Sequence, residues 1–438
     1  MAVIRTIGAR EVLDSRGYPT VEAEVMLSTG ARGVASVPAG ASVGSREAVE
    51  KRDGDRSRWE GKGVLSAVKT VKEVIAPALI GKEADPEEVD ALLRELDGTP
   101  DKSRLGANTL LAVSLATARA AAEDRGLPLT LLINQLSGSP DMSIPTPMVN
   151  IISGGHHAAW TLDFQDYLVI PAGAFSFRQA LDWTGLIYHH LKNRLKKEGF
   201  STLLADEGGF AVPFPTNEKP LHLLTEVISE VGLNPRFQVW LAIDVAATHF
   251  YSGGRYQTRT ENRSLSTLEM VETLSQWSYR YPIISIEDGV AENDEPGWEN
   301  LTLRLGGRVQ LVGDDLLVTN AQRIKECAQK GIANAALIKP NQVGTLTEAL
   351  NAIRACREVG YNIIISARSG ETEDPFIADL AVGVGAGQIK VGSIARGERT
   401  SKYNQLLRLE EMLGSKAPFA GAKPFERFGA VSMPKEEG

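Results

Sequence analysis

The chain has little of what would place it among secreted, membrane or nucleic-acid-binding proteins. It holds only two cysteines in 438 residues, Cys327 and Cys356, both in segments patterned as helices. Buried, inert thiols and a reducing compartment are the expectation. No run of about 18 apolar residues occurs, so no membrane-spanning helix is expected. No apolar core of signal-peptide length follows Arg5, Arg10 and Glu11. Basic residues are outnumbered, 47 against 55 acidic ones, for a formal net charge of −8. That balance argues against nucleic acid or an anionic membrane as the main partner, while leaving room for a local basic pocket. A cytoplasmic enzyme is the default expectation.

What is present is the material of a globular protein with a full-sized core: 43% hydrophobic and 23% charged residues. The length predicts two or three domains. Residues 3–37 read as three strands. Val21, Ala23, Val25 and Leu27 alternate with Glu22, Glu24, Met26 and Ser28, close to the period of a half-buried strand. The small-residue stretch 37–45, with Ser42, lacks periodicity and is expected to be a mobile surface loop. From about 61 to 137 the pattern is helical, with Leu111, Leu115, Ala118 and Ala122 on one face. Asp85-Pro86 and Gly126-Leu-Pro128 mark helix boundaries. The clearest linker by composition lies around 137–147. This predicts an α+β domain over residues 1–140 and a second, catalytic domain over 141–438.

The second half repeats one device, a short apolar run that stops on a charge. Gln238 to Ile243 ends on Asp244, Pro282 to Ile286 on Glu287 and Asp288, and Gln310 to Gly313 on Asp314 and Asp315. Asn334 to Ile338 ends on Lys339, Asn362 to Ser366 is followed by Arg368, and Gln388-Ile389 runs into Lys390. From Glu287 onward the charged ends fall 27, 25, 29 and 22 residues apart. A strand, a loop and a helix of about three turns need that much chain. Strands alternating with helices at this period make a parallel barrel or a doubly wound sheet, and ligands bind at the carboxyl ends of the strands. Phe164 to Ile170 reads as a strand carrying Asp166. Leu203 to Gly209 reads as one ending on Asp206 and Glu207, beside two glycines. His189, His190 and His222 are read as solvated. The tail from about 401 is helical around Leu406, Leu407 and Leu409, then expected to be loosely ordered.

Asp244, Glu287 and Asp314 end three different strands. Three carboxylates gathered in a barrel mouth cannot all stay ionised without a cation. Oxygen ligands with no His or Cys favour Mg²⁺. Lys339 and Lys390 share that rim, and a lysine beside a second lysine and a metal has its pKa lowered, so it can act as a base. Arg368 with Ser369 suits a phosphate or carboxylate. Glu207 stands on the opposite side. Base, metal and acid in that order can remove a proton beside a carboxylate and expel a group from the next carbon.

At these residues the sequence resembles the enolase family. The resemblance runs from Arg10-Glu-Val-Leu-Asp-Ser-Arg-Gly17 to Lys402-Tyr-Asn-Gln-Leu-Leu-Arg408. It rests on Asp206-Glu-Gly-Gly-Phe210, Ser285-Ile-Glu-Asp288, Gly313-Asp-Asp-Leu316, Leu337-Ile-Lys-Pro-Asn-Gln342, Arg368-Ser-Gly-Glu-Thr372 and Gly387-Gln-Ile-Lys390. It implies a smaller α+β domain on a modified eight-stranded (β/α) barrel, and a homodimer or higher homo-oligomer. By position it implies Lys339 as the base for a C2 proton and Glu207 as the acid or water-handling residue at C3. Asp244, Glu287 and Asp314 would hold a first Mg²⁺, and Ser42 a second. Lys390 would grip the substrate carboxylate, Arg368 and Ser369 the phosphate, and His157 would close over it. A lysine base with one or two Mg²⁺ is a recognised arrangement of this superfamily.

The chain also departs from the family. Ala367 stands where a His precedes the arginine, and Asp166 where a Glu is usual. Thr248-His249-Phe250 replaces Ser-Glu-Phe, the loop reads Ala-Ser-Val-Gly instead of Ala-Ser-Thr-Gly, and His156 replaces a small residue. His249 is either core or in contact with Asp244. Ala367 and Asp166 fall where the family handles the leaving hydroxyl. General-acid help is worth ~10²–10⁴-fold, and a displacement of about 1 Å can cost ~10²-fold. The expectation is a site that binds a phosphorylated three-carbon acid but is weakened as a dehydratase. A specialised homologue of phosphonate biosynthesis, taking a nucleotide-activated phosphonoformate as second substrate, fits these departures. An ordinary glycolytic member acting on 2-phosphoglycerate and a non-catalytic binding protein on the same fold are the alternatives.

Overall fold

In the computed structural model, residues 2–40, 44–139 and 141–430 are described. Three strands, β1 (Ile4–Leu13), β2 (Pro19–Leu27) and β3 (Arg32–Ser36), form an antiparallel meander in the order β1-β2-β3. Asp14 tightens the first turn by accepting from the backbone N–H of Arg16 and of Tyr18, each at 2.9 Å. Val21, Ala23, Val25 and Leu27 are wholly buried, as the alternation predicts. Five helices follow: α1 (Leu65–Thr70), α2 (Ala76–Leu79), α3 (Pro86–Asp97), α4 (Ala107–Asp124) and α5 (Leu129–Ser137). Asp85 caps α3 through the N–H groups of Glu87 and Glu88, with Pro86 in its first turn.

α4 differs from the expected one-faced helix. It is buried on almost every side, because its small alanines let it lie between the meander and the rest of the protein. Gly33 makes the close approach possible, since a Cβ there would lie 1.9 Å from the Ala116 carbonyl oxygen.

Eight strands then close into a barrel. They are β4 (Thr146–Ser153), β5 (Asp166–Ile170), β7 (Trp240–Asp244), β11 (Ile283–Glu287), β12 (Gln310–Gly313), β13 (Ala335–Ile338), β14 (Asn362–Ser366) and β15 (Gly387–Gly392). Between them come the short β6 (Phe210–Ala211) and an outer meander of β8 (Tyr251–Ser252), β9 (Arg255–Thr258) and β10 (Arg263–Leu265). β15 pairs with β4 to close the ring, and β6 adds to the far edge of β4. The modification lies in β5, which runs antiparallel to both β4 and β7. Its first residue, Asp166, therefore stands at the mouth in register with Asp244.

Leu203 and Leu204 form no strand, and Leu203 is 76% exposed. Asp206 and Glu207 lie on the turn that leads into β6, with Ala205 N–H donating to the Gly209 carbonyl at 2.8 Å. The end of the chain is also better packed than its Gly/Pro/Lys composition suggests. Phe425 is fully buried and joins Phe428 and Ala430 among the barrel-interior residues Met148, Ile170, Trp240 and Ile364. It covers the end of the barrel opposite the mouth. Residues 431–438 lie outside the described set. Cys327 and Cys356 are both buried and unpaired, and no helix among the described residues is long and apolar enough to cross a membrane.

Candidate active site

The carboxyl ends of the barrel strands bring the expected charged residues into one place. A cavity of about 430 Å³, open solvent included, is lined by His157, Glu207, Asp314, Lys339, Ala367, Arg368, Ser369 and Lys390, together with Glu47, Gln165 and Asp315. Ser42 lies outside the described residues. Asp244, Glu287 and Asp166 are not part of the wall.

Asp244 and Glu287 lie behind Lys390, whose Nζ donates to Asp244 Oδ2 and to Glu287 Oε2, each at 2.7 Å. Lys339 Nζ donates to Asp314 Oδ2 at 2.5 Å. Two ammonium groups thus face three carboxylates, with Lys390, Asp244 and Glu287 buried and Lys339 and Asp314 partly buried. Burial and the neighbouring Asp244 charge push Glu287 well above the ordinary carboxyl value. Asp244, though burial disfavours its charge, is held low by Lys390. Burial disfavours the Lys339 ammonium, but Asp314 outweighs it and raises its pKa. Lys390 is raised further, against burial, by Asp244 and Glu287.

Glu287 Oε1 is buried and has no hydrogen-bond partner. By donor chemistry, an oxygen-only trio with one orphaned oxygen suits a hard divalent cation such as Mg²⁺, while the acids whose oxygens already lie within 4.8 Å of one another are Asp288, Asp314 and Asp315.

Asp314 is aimed by Asp288, whose carboxylate accepts from the N–H groups of Asp314 (3.1 Å) and Asp315 (2.8 Å). Gln342 donates to Asp314 Oδ1 at 3.0 Å, and Gln165 to Asp244 Oδ2 at 3.0 Å. Arg368 is buried and forks onto Glu47, with Nη1 to Oε2 at 2.7 Å and Nη2 to Oε1 at 3.3 Å. Burial disfavours the guanidinium charge, and Glu47 more than restores it. Arg399, wholly buried, donates to the carbonyl oxygens of Arg368 and Ser369, each at 2.6 Å, and so fixes the loop after β14. Glu47 and Arg399 were not singled out from the sequence. Glu47 lies two residues past an aperiodic loop. Arg399 sits in an ordinary helical pattern, and only its complete burial reveals it.

On the opposite side, His157 occupies a short helical turn after β4, and its Nδ1 lies 3.5 Å from Glu207 Oε1. Burial holds the imidazole below its ordinary pKa despite the Glu207 charge. Burial also works against the Glu207 charge. His157, then Arg399, Lys390 and Lys339, outweigh that burial and hold the carboxyl below its ordinary value. Burial and the Glu207 charge push Asp166 well up. Asp166 Oδ1 accepts from Asn150 Nδ2 and, at 3.2 Å, from Ser153 Oγ. The methyl of Ala367 lines the cavity beside Arg368 and Ser369. His249 is half-buried. Its ring meets Trp160 edge-on at 6.5 Å, and burial holds its pKa low against the pull of Asp244. It is therefore packed beside the acidic set, not within the core.

A family model described as the enolase N-terminal domain matches residues 4–133. A second, described as the enolase C-terminal TIM barrel domain, matches residues 141–428.

Proposed function

The chain belongs to the enolase family, whose members are typically Mg²⁺-dependent lyases, and from that premise we propose a Mg²⁺-dependent enzyme of phosphorylated three-carbon acids with altered leaving-group chemistry. Lys339 is the base that takes the C2 proton. Asp244, Glu287 and Asp314 are the ligands of Mg²⁺, with Ser42 serving a second ion. Bound there, Mg²⁺ would supply positive charge to a carboxylate that gains electron density as the neighbouring proton leaves. Lys390, freed from Asp244 and Glu287, turns to the substrate carboxylate. Arg368 and Ser369 take the phosphate, and His157 covers it. Glu207, ionised and across the cavity, handles a proton or water at C3.

The single observation behind the altered chemistry is Ala367. It lines the cavity next to the phosphate grip with a methyl group that can neither donate nor accept a proton. The space suits an additional group on the substrate. The specific reading is carboxyphosphonoenolpyruvate synthase, which joins a phosphonoformyl group from a nucleotide-activated donor to an enolpyruvyl-type substrate. We read the protein as cytoplasmic and as a homodimer or larger homo-oligomer. The second reading is ordinary dehydration of 2-phosphoglycerate, favoured by Glu207, whose carboxyl is held low and lies 3.5 Å from His157 across the cavity. Incubation with Mg²⁺ and 2-phosphoglycerate separates them. Turnover on the order of tens per second, typical of an enzyme on its own substrate, would establish dehydration. Its absence, with substrate bound, supports the specialised enzyme.

A further inference from the structure

We propose that Trp160, Arg259, His249 and His156 form a subsite on the rim of the mouth that takes the base and phosphate of a nucleotide. The placement follows from the fold. β5 runs antiparallel to β4, so the whole connection between them, residues 154–165, lies at the mouth. It carries His157 into the cavity wall and Trp160 three residues later. His249 stands on the short helical turn that follows β7 and Asp244. The indole of Trp160 meets the His249 ring edge-on at 6.5 Å, and Arg259 Cζ lies 4.4 Å from the indole centroid. Arg259 follows β9, and its backbone N–H donates to Asp163 Oδ1 at 2.7 Å, which ties that hairpin to the same loop.

The nitrogen-bearing side chains around that indole lack hydrogen-bonding partners. Arg259 is exposed, and among the described residues its guanidinium makes no hydrogen bond or ion pair. The rings of His156, exposed, and His249, half-buried, make none either. Asp163 is engaged elsewhere. Its Oδ2 accepts from Thr260 N–H at 3.0 Å and Asn217 Nδ2 at 2.8 Å. Two of these residues are also departures from the family pattern that the proposed function leaves unused. His249 stands in place of a glutamate and His156 in place of a small residue. Both changes favour an anion at the rim: one removes a carboxylate, and the other adds a hydrogen-bond donor.

This chemistry selects a ligand with both a flat ring and a negative charge. An indole offers a face on which any base can stack, and an arginine can join the stack or fork onto a phosphate. Imidazole N–H groups add donors for phosphate oxygens. A phosphorylated three-carbon acid has no ring, and its phosphate is already provided for by Arg368 and Ser369. A nucleotide has both parts. The inference rests on the nucleotide-activated donor of the proposed function and names the residues that hold its nucleotide end.

The test is calorimetric titration of the full-length protein in Mg²⁺ with the common nucleoside 5′-monophosphates, with ribose 5-phosphate and with inorganic phosphate. At least one nucleotide should bind about 10-fold or more tighter than ribose 5-phosphate, the usual worth of stacking on an aromatic ring. Trp160→Leu should remove that advantage, and Trp160→Phe should keep most of it. Arg259→Gln should weaken nucleotide and ribose 5-phosphate alike. His249→Glu, which returns the family's carboxylate, should weaken the nucleotide. A thermal midpoint close to that of the unsubstituted protein shows that each variant is folded. If Trp160→Leu is not, Arg259→Gln and His249→Glu give the reading, and unchanged affinity in both would overturn the subsite. So would the lack of any preference over ribose 5-phosphate, or a preference that survives Trp160→Leu. Fast dehydration of 2-phosphoglycerate beside Trp160-dependent nucleotide binding would contradict the specialised enzyme and leave the subsite standing.

Discussion

Arg368 grips Glu47 across 321 residues of sequence, with Nη1 2.7 Å from Oε2 and both side chains about 95% buried. The carboxylate occupies the fork of the guanidinium that the proposed function gives to phosphate. Substrate and Glu47 therefore compete for, or must share, the same cation.

This competition has a measurable consequence. Glu47→Gln should tighten inorganic phosphate binding by roughly 10-fold or more, on the basis of about 1.5–3 kcal/mol for a charged hydrogen bond. Without phosphate the variant should lose stability, because a buried charge has lost its partner. Calorimetric titration and urea unfolding with and without phosphate read both effects. Unchanged phosphate affinity would mean that Glu47 does not oppose the anion.

Lys390 stands between Asp244 and Glu287 in the same way. Lys390→Met leaves buried carboxylates uncompensated and should cost about 3–5 kcal/mol in a chelator. Mg²⁺ should restore much of that loss by binding the folded state alone. Urea unfolding in chelator and in Mg²⁺ measures the difference. An equal loss in both solutions would argue that the cation does not bind at these acids.

Much of this site is legible in sequence because strand ends announce themselves. An apolar run that stops on a charge places Asp244, Glu287, Asp314 and Lys339 at the mouth without any structure. The same signal misleads at Leu203-Leu204, where two apolar residues precede Asp206 but are held outside any strand. Phe425 falls in a stretch whose Pro, Lys and Gly content predicts a loose tail, and burial in the barrel interior outweighs that local composition. Glu47 and Arg399 act through long-range hydrogen bonds, which leave no periodic trace. The turn of β5 against its neighbours, which brings Asp166 level with Asp244, is a matter of chain direction that residue patterns do not encode.

Asp90 links α3 to the barrel, with Oδ2 accepting from Thr347 N–H at 2.8 Å and Oγ1 at 2.7 Å. Burial pushes its carboxyl up to about 6, against the hydrogen bonds from Ser114 and Thr347 that favour its charge. The folded state thus binds this proton more tightly than the unfolded chain does. Its contribution is fully present below about pH 4 and is lost as pH rises through about 6. The size is on the order of 2–3 kcal/mol, at about 1.4 kcal/mol per pKa unit. Asp90→Asn should therefore flatten the decline in stability between about pH 4 and 6. Unfolding free energies across that range test it, and an unchanged slope would contradict the assignment to Asp90.

Ala367→His combined with Asp166→Glu should restore a proton donor and a full-length carboxylate to the leaving-group side. Dehydration of 2-phosphoglycerate should rise by about 10²-fold or more, the usual worth of a general acid. Stopped-time assays of phosphoenolpyruvate read it. No gain would show that these two positions do not limit the reaction.

The central claim is that Lys339 removes the C2 proton of a phosphorylated three-carbon acid in a Mg²⁺-dependent way. It is tested most directly by incubating the protein with Mg²⁺ and 2-phosphoglycerate in deuterated water and following the C2 signal by NMR. Exchange should proceed with little phosphoenolpyruvate formed, should stop in a chelator, and should fall by about 10²–10⁴-fold in Lys339→Ala. No exchange by the Mg²⁺-loaded protein, or exchange that survives the loss of Lys339, would contradict the account.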